Sequence, residues 1–462
     1  MDDALFTTDE GRRRLATELL SSWVTGRRWF GGKGKRVCDW KISRWVRVES
    51  AWLIALDVEY EDRTVETYAV PLRLLSAEST FEPSALVARD AGTVLIDALH
   101  DPEFRGALFE LMAKNASGVL SGTSSVQFEA MFASGEIPQS RVLNAEQSNT
   151  SLIYGGKLFV KFYRKLVMGV NPDGEITRAL SEQTAFRHAP RFCGAIEWGG
   201  ASLALGIERV THKSDGWTLA LQQAGECATA GQSLDAWLAL ARKLGRRTGE
   251  LHRALAGLSH LPEFAPEPIE PSEIAALRGR IARAASRVTE EIRARLDQLP
   301  RETQPIANEA IECLSSFGLP VLRDIHATKI RVHGDYHLGQ VLFTGEDFVI
   351  TDFEGEPARS IEERRAKQPP LRDVAGMLRS FHYAAHTAGG SDAESWATCS
   401  QQAFFDGWRL AVAGSAIECD AASERELLRL FLIEKALYEV DYELNNRPGW
   451  LAIPLRGVLS LQ

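Results

Sequence analysis

Arg331-Val-His-Gly-Asp-Tyr-His-Leu-Gly-Gln340, continued by Val341-Leu-Phe343 and, after a short turn, by Val349-Ile-Thr-Asp-Phe-Glu-Gly-Glu-Pro357, is the stretch on which the fold turns. A strand candidate over 329–333 ends in His-Gly-Asp. Two more, 340–343 and 348–352, form a hairpin whose far end exposes a second carboxylate. A hairpin returns its second strand to the start of the first, so Asp335, Gln340 and Asp352 can converge on one point. Phosphoryl transfer needs that convergence: a carboxylate to accept the proton of an attacking hydroxyl, and oxygen ligands that hold Mg²⁺ on nucleotide phosphates. Asp335 suits the first role and Asp352 the second, with the Gln340 carbonyl as a further ligand. Any one Asp at a strand end is equally a turn or cap residue; the spaced set carries the reading.

Outward from this stretch, hydrophobic periodicity divides the chain. Residues 12–25 have helical spacing, 43–58 and 63–72 read as strands, and the first hundred residues form a small α+β unit. Residues 103–113 are helical, and 114–136 is a Ser/Gly-rich passage with a strand-like VQFEAMF. Strand candidates at 141–148, 151–154, 157–163, 201–210 and 217–222 suggest a five-stranded antiparallel lobe, with Gly155-Gly156 as a two-residue hairpin turn. A helix at about 175–187 is entered through Asn171-Pro-Asp-Gly174. From Leu234 the pattern is mainly helical, interrupted by the Pro-rich passage 261–271 and the short hairpin, and it bends at 448–454. No internal repeat is visible.

The length of 462 residues fits about three folding units. Charged residues make up 25% and the formal charge is −9, which disfavours a nucleic-acid partner. No apolar run is long enough for a membrane span, the N-terminus lacks a basic leader, and six scattered cysteines form no C-x-x-C pair. These features predict a cytoplasmic protein without a membrane or nucleic-acid partner. Residues 26–47 are locally basic, with aromatic residues alternating among Arg27, Arg28, Lys33, Lys35, Arg36, Lys41, Arg44 and Arg47. They read as a solvated sheet edge or a docking surface, and not as a Walker A loop, because Gly32 stands where Lys should.

The His-Gly-Asp-x-His motif with the following Asp-Phe resembles the kinase-like phosphotransferases. That resemblance implies an α+β, bilobal protein-kinase-like fold and gives roles to further residues. Lys161, in LFVKFY, would reach the nucleotide phosphates, paired with Glu175 or Glu182, of which Glu175 is preferred. The glycine-free turn Gln147, Ser148, Asn149, Thr150 and Ser151 would cover those phosphates. Asp373 would steady the catalytic loop together with His333, although an ordinary helix N-cap looks identical.

Arg28-Trp-Phe-Gly-Gly-Lys33, Glu146 to Ser151, Val170 to Asp173, Arg331 to Gln340, Asp352 to Arg359, Pro370 to Phe381 and Tyr442 to Pro454 carry a closer resemblance, to the maltokinase family. Gln340 in place of the usual Asn, and Glu354 in place of a third-position Gly, separate the chain from protein kinases. This resemblance implies ATP and Mg²⁺ as cofactors and maltose as acceptor. It also implies an extra N-terminal α+β cap at 1–90, an intermediate subdomain and nucleotide-binding N-lobe at 91–222, and a mainly helical C-lobe at 223–462. The acceptor site would draw on His337, Arg359, Tyr438, Glu439, Tyr442, Glu443 and Arg447, though the same helical residues could pair within their helix. With no domain ahead of the cap, a free-standing kinase is expected, able to associate with trehalose synthase. Two alternatives remain open here: a kinase for glucosamine, an aminoglycoside or another sugar, and a non-catalytic tethering module.

Overall fold

The computed structural model describes residues 1–143, 149–230, 234–315, 325–390 and 392–461. Gln147 and Ser148 of the expected phosphate-covering turn lie outside the described residues. The chain divides into two compact units, Met1–Arg178 with Pro190–Arg209, and Ala179–Ala189 with Val210–Gln462. Among the described residues no helix is long and apolar enough to cross a membrane.

The first unit holds two antiparallel sheets. One runs in the order Val37–Val48, Ala51–Tyr60, Val65–Ser76, Thr93–Asp97, Leu86–Arg89. Its second strand is buried on both faces, so the alternation that marks a half-exposed strand is missing and 43–58 reads as one run. The chain in fact reverses at Glu49-Ser50, where Glu49 takes φ 52° and Val48 pairs with Ala51. Leu15, Leu20, Trp23 and Val24 of the N-terminal helical segment pack on Ile54, Leu56 and Val58. The basic run forms the exposed edge strand. From it Arg44 lies over the Trp198 ring and donates to the Trp198 carbonyl at 3.4 Å, joining the first sheet to the second.

The second sheet has the order Leu120–Ser124, Phe192–Trp198, Ala201–Glu208, Leu158–Phe162, Thr150–Tyr154, Ser140–Val142. It is six-stranded, one more than expected, because two segments exchange roles. The strand-like VQFEAMF is the helix Val126–Met131, whose N-cap Ser125 accepts from Phe128 N–H. The expected strand 217–222 lies in the helix Gly216–Ala230, where Asp215 accepts from Thr218 N–H at 2.6 Å. In both cases a capping side chain satisfies a backbone donor that only a helix start leaves orphaned, and the cap overrides the β-propensity of the aromatics. Gly155 and Gly156 adopt φ of 55° and 69°, with Lys157 completing a three-residue turn.

The second unit is helical apart from the hairpin Val341–Phe343 and Phe348–Ile350, joined by Ser214–Asp215, and one two-stranded ladder. Two of its helices, Asp235–Ala256 and Ala393–Val412, cross through glycines. A Cβ on Gly245 would lie 1.8 Å from the Phe404 carbonyl oxygen, and one on Gly407 would lie 2.0 Å from that of Arg242. Only backbone can occupy that crossing. It sets His252 and Trp408, one from each helix, against one another.

Candidate active site

The stretch 331–335 is an irregular loop where a strand was expected, since only Thr328–Lys329 makes ladder pairs. Its shape follows from Asp373 in the first turn of the helix Leu371–Ala388. The Asp373 carboxylate is buried and accepts from the backbone N–H of His333 at 2.8 Å and of Gly334 at 2.9 Å. It also accepts from His252 Nε2 at 3.0 Å, because His252 Nδ1 is occupied by the indole N–H of Trp408 at 3.0 Å. An indole only donates, so this contact leaves the His252 proton on Nε2. Burial pushes the Asp373 carboxyl up, but the bond from His252 and the backbone donor at Gly334 outweigh it and hold the group below the ordinary value. Asp373 is therefore more than a helix cap: it moulds the loop that carries Asp335.

His333 completes the second side of that loop by donating from Nε2 to the Thr351 carbonyl at 2.9 Å. Thr351 in turn donates its N–H to the Gln340 carbonyl at 2.9 Å, so the hairpin sets Gln340 beside the residue that precedes Asp352. Asp352 has φ 70°, a left-handed conformation costly for a side chain with a Cβ but tolerated by Asp. Gly334 and Gly355 also have positive φ, and a Cβ on Gly334 would lie 3.3 Å from Gly355 Cα. The two carboxylate-bearing loops thus touch at glycine, and Asp335, Gln340 and Asp352 come together as their spacing predicts.

Asp335 opens onto a cavity of about 50 Å³ lined with Glu356, Arg359, Arg372, Glu434 and Tyr438. Lys435 completes the lining and sets its ammonium 3.4 Å from Asp335 and 3.7 Å from Glu356. Glu356 also binds Arg359 and Arg372, and Glu434 is held by Arg372 at 2.7 Å and Arg280 at 3.2 Å. Burial pulls the Lys435 ammonium down, yet Asp335 and Glu356 raise it above its ordinary value. Burial likewise pushes Glu434 up, and Arg372 with Arg280 holds it below. Every carboxylate of the cavity already has a cationic or imidazole partner. His337 accepts from Gly339 N–H on Nδ1 at 3.0 Å, leaving Nε2 as its donor, and burial lowers its pKa.

The other residues expected around an acceptor separate. Arg359 and Tyr438 line the cavity. Glu439, Glu443 and Arg447 do not, because the face that Glu439 and Glu443 share on the helix Ala421–Asn446 is the packed one. Glu439 neutralises the buried Arg379 at 2.9 and 2.7 Å. Glu443 is 1% exposed and binds Arg447 at 2.6 Å and the Tyr383 hydroxyl. A buried guanidinium or carboxylate is costly without its counter-charge, and these pairs supply one. Tyr442 stacks on Tyr438 at 6.4 Å, and both rings are largely exposed. The sequence reading missed Lys435, Arg372 and Glu434; Phe431, Lys435 and Tyr438 fall at i, i+4 and i+7 on one helical face, a signal it did not use.

In the first unit Lys161 sits on the strand Leu158–Phe162, opposite Ser151 and Leu205. Its Nζ lies 2.6 Å from Asp173 Oδ2. The expected partner Glu175 is thereby replaced by Asp173, because the helix starts earlier than predicted, at Pro172, and turns Asp173 inward from its first turn. Asn149 precedes the strand Thr150–Tyr154. Thr150 and Ser151 belong to that strand rather than to the turn: they pair with Phe162 and Lys161, Thr150 Oγ1 accepts from Arg164 at 2.8 Å, and Ser151 is buried.

Comparison with known proteins agrees with this geometry. A family model described as the maltokinase N-terminal cap domain matches residues 23–101, and one described as the phosphotransferase enzyme family matches residues 223–409. The chain is 24% identical over 368 residues to a glucosamine kinase of Streptacidiphilus jiangxiensis, covering 76% of this chain and 79% of that protein. It is 28% identical over 400 residues to a glucosamine kinase of Mycolicibacterium smegmatis, covering 81% and 92%. A glucosamine kinase solved in complex with glucosamine, ADP and inorganic phosphate is similar at a TM-score of 0.65 and 19% identity, over 96% of this chain and 98% of that one. The fold is α+β and protein-kinase-like, with sheet and helical lobes and an N-terminal cap domain. The chain is a sugar-kinase-like phosphotransferase that carries a cap of the maltokinase type.

Proposed function

We propose that this protein transfers the γ-phosphoryl group of ATP to the anomeric hydroxyl of maltose, supplying maltose 1-phosphate to trehalose and α-glucan metabolism. The observation that carries the phosphotransfer is the loop around Asp335, held by Asp373 and His333 against the loop of Asp352. Asp335 accepts the proton of the attacking hydroxyl as the new O–P bond forms and the bond from the γ-phosphorus to the ADP oxygen breaks. Asp352 and the Gln340 side chain offer hard oxygen donors fit for Mg²⁺, which would neutralise charge on the phosphates. Lys161, oriented by Asp173, and the backbone at Asn149 serve the nucleotide phosphates, and His337 offers its Nε2 donor to the transferred group.

The choice of acceptor rests on charge. A cavity whose carboxylates are each engaged by Lys435, Arg359, Arg372, Arg280 or His252 has no uncommitted anion for an ammonium, and Lys435 repels one. Neutral hydroxyls can share these donors and acceptors without loss. The cap match also favours maltose. Glucosamine is the second reading, because both curated relatives are glucosamine kinases. The test is ADP release with maltose, glucosamine and an aminoglycoside at equal concentration, with NMR assignment of the phosphorylated carbon. Turnover of maltose at its anomeric position supports the reading, and turnover of glucosamine alone overturns it. Association with trehalose synthase belongs to the same reading. The exposed basic strand Val37–Val48 is its candidate surface, and co-sedimentation of the two proteins tests it.

A further inference from the structure

Away from Asp335, three potential metal ligands meet where the helix Leu371–Ala388 ends and the helix Ala393–Val412 begins. His382 and His386 are four residues apart on one helical face, with ring centroids 4.4 Å apart. Glu394 stands in the first turn of the next helix, and its Oε2 lies 3.2 Å from His386 Nε2. One ligand atom from each of the three falls within 4.8 Å of the other two.

A second observation makes this more than a chance cluster. His382 is 3% exposed, and among the described residues neither of its ring nitrogens has a hydrogen-bond partner. Burying two unsatisfied imidazole nitrogens is expensive, and native structures usually answer such an orphan with a water or an ion. Lone pairs converging from two imidazoles and one carboxylate are the donor set that borderline metals prefer, whereas Mg²⁺ and Ca²⁺ prefer oxygen alone. We propose that His382, His386 and Glu394 bind one Zn²⁺-class divalent ion, with a fourth position left for water.

The surroundings oppose and support this in identifiable ways. Arg379, one turn earlier, and Arg456 of the helix Ala452–Leu459 add positive charge near His382, which weakens a cation site. Arg379 is neutralised by Glu439, and Glu394 brings its own charge to the ion. Burial, then Arg379, His386 and Arg456, keeps the His382 ring deprotonated, so an incoming metal displaces no proton from it. The bound ion would tie the far end of the helix that carries Asp373 to its successor.

The test uses the full chain, stripped with a chelator and desalted, then titrated with Co²⁺ as a visible-spectrum probe and displaced with Zn²⁺. One equivalent should develop the d–d bands of a low-coordinate nitrogen/oxygen site, and Zn²⁺ should raise the melting midpoint. His386→Ala and Glu394→Gln, at partly exposed positions that leave the core intact, should each weaken uptake at least about tenfold and abolish the thermal shift. No uptake by the parent chain, or uptake equal in the parent and both variants, overturns the proposal.

Discussion

Asp335 touches only one charged side chain at hydrogen-bond range, Lys435, and its loop is held from beneath by backbone bonds to Asp373. Replacing it therefore leaves the scaffold in place. Asp335→Asn should lower kcat by about 10²- to 10⁴-fold with an unchanged melting midpoint; steady-state ADP release beside a thermal melt measures both, and a variant that keeps most of its turnover removes Asp335 from the reaction. Lys435 offers the complementary test. Lys435→Met takes away the ammonium that answers Asp335 and Glu356, and should move kcat/KM toward aminated acceptors, relative to neutral ones, by about five- to tenfold, the equivalent of ~1 kcal/mol. A panel of acceptors reads the ratio, and a ratio that stays put counts against the charge argument. At this scale the sequence was informative where chemistry is concentrated in one short segment: Asp335, Gln340 and Asp352 lie in one motif and meet in space. Lys435, Arg372 and Glu434 come from two distant helices, and no local pattern announces that those helices face the motif. Asp173 was hidden for a different reason, since a carboxylate in Asn-Pro-Asp-Gly reads first as turn chemistry.

At the scale of elements, errors in reading the sequence cluster where two physical signals compete. Aromatic and β-branched residues at 126–132 and 217–222 favour a strand, but Ser125 and Asp215 cap helices there and prevail. The two-sided burial of Ala51–Tyr60 erased the alternation needed to find its turn. Long amphipathic helices were legible because their apolar faces repeat over many turns. The glycines within them were not, as their role appears only when a neighbour's backbone is known. Gly407 faces the Arg242 carbonyl with no room for a methyl group, and the same crossing sets Trp408 against His252 and so orients the donor to Asp373. Gly407→Ala would gain up to ~1 kcal/mol of helix propensity but has to push two backbones apart, at about 1–3 kcal/mol or more. The net expectation is a loss of stability in urea denaturation with a fall in kcat larger than any change in KM. A variant as stable as the parent would mean that the helices part without strain. His252→Gln isolates the second effect, because it breaks the relay to Asp373 without forcing the helices apart.

For the whole molecule, the −9 charge conceals an uneven use of carboxylates. In the first unit Glu66 is held down to about 2: burial pushes it up, and bonds from Lys165, Tyr68 and Tyr60 overcome that. In the second unit Asp373, Glu434 and Asp347 are all held below their ordinary values, burial opposing and His252, Arg372 and Arg247 prevailing in turn. A depressed carboxyl contributes stability that is complete above its unfolded pKa and is lost as pH falls through its folded one. The acid limb should therefore begin below about pH 4.5, the ordinary Glu value, and not near neutrality. Mild acidification from pH 7 only relieves the repulsion among surplus negative charges. Glu434→Gln tests this one group at a time. The variant should be less stable than the parent at pH 7, because Arg372 and Arg280 lose their shared anion. It has one fewer proton to take up, so its stability should fall more gently, by at most about 1.4 kcal/mol per pH unit, and the two curves should converge as pH falls from 6 toward 3. Urea midpoints taken across that range measure the gap. A gap that stays constant would mean that Glu434 holds its two arginines by packing alone, and that acid sensitivity resides with Asp373 and Asp347.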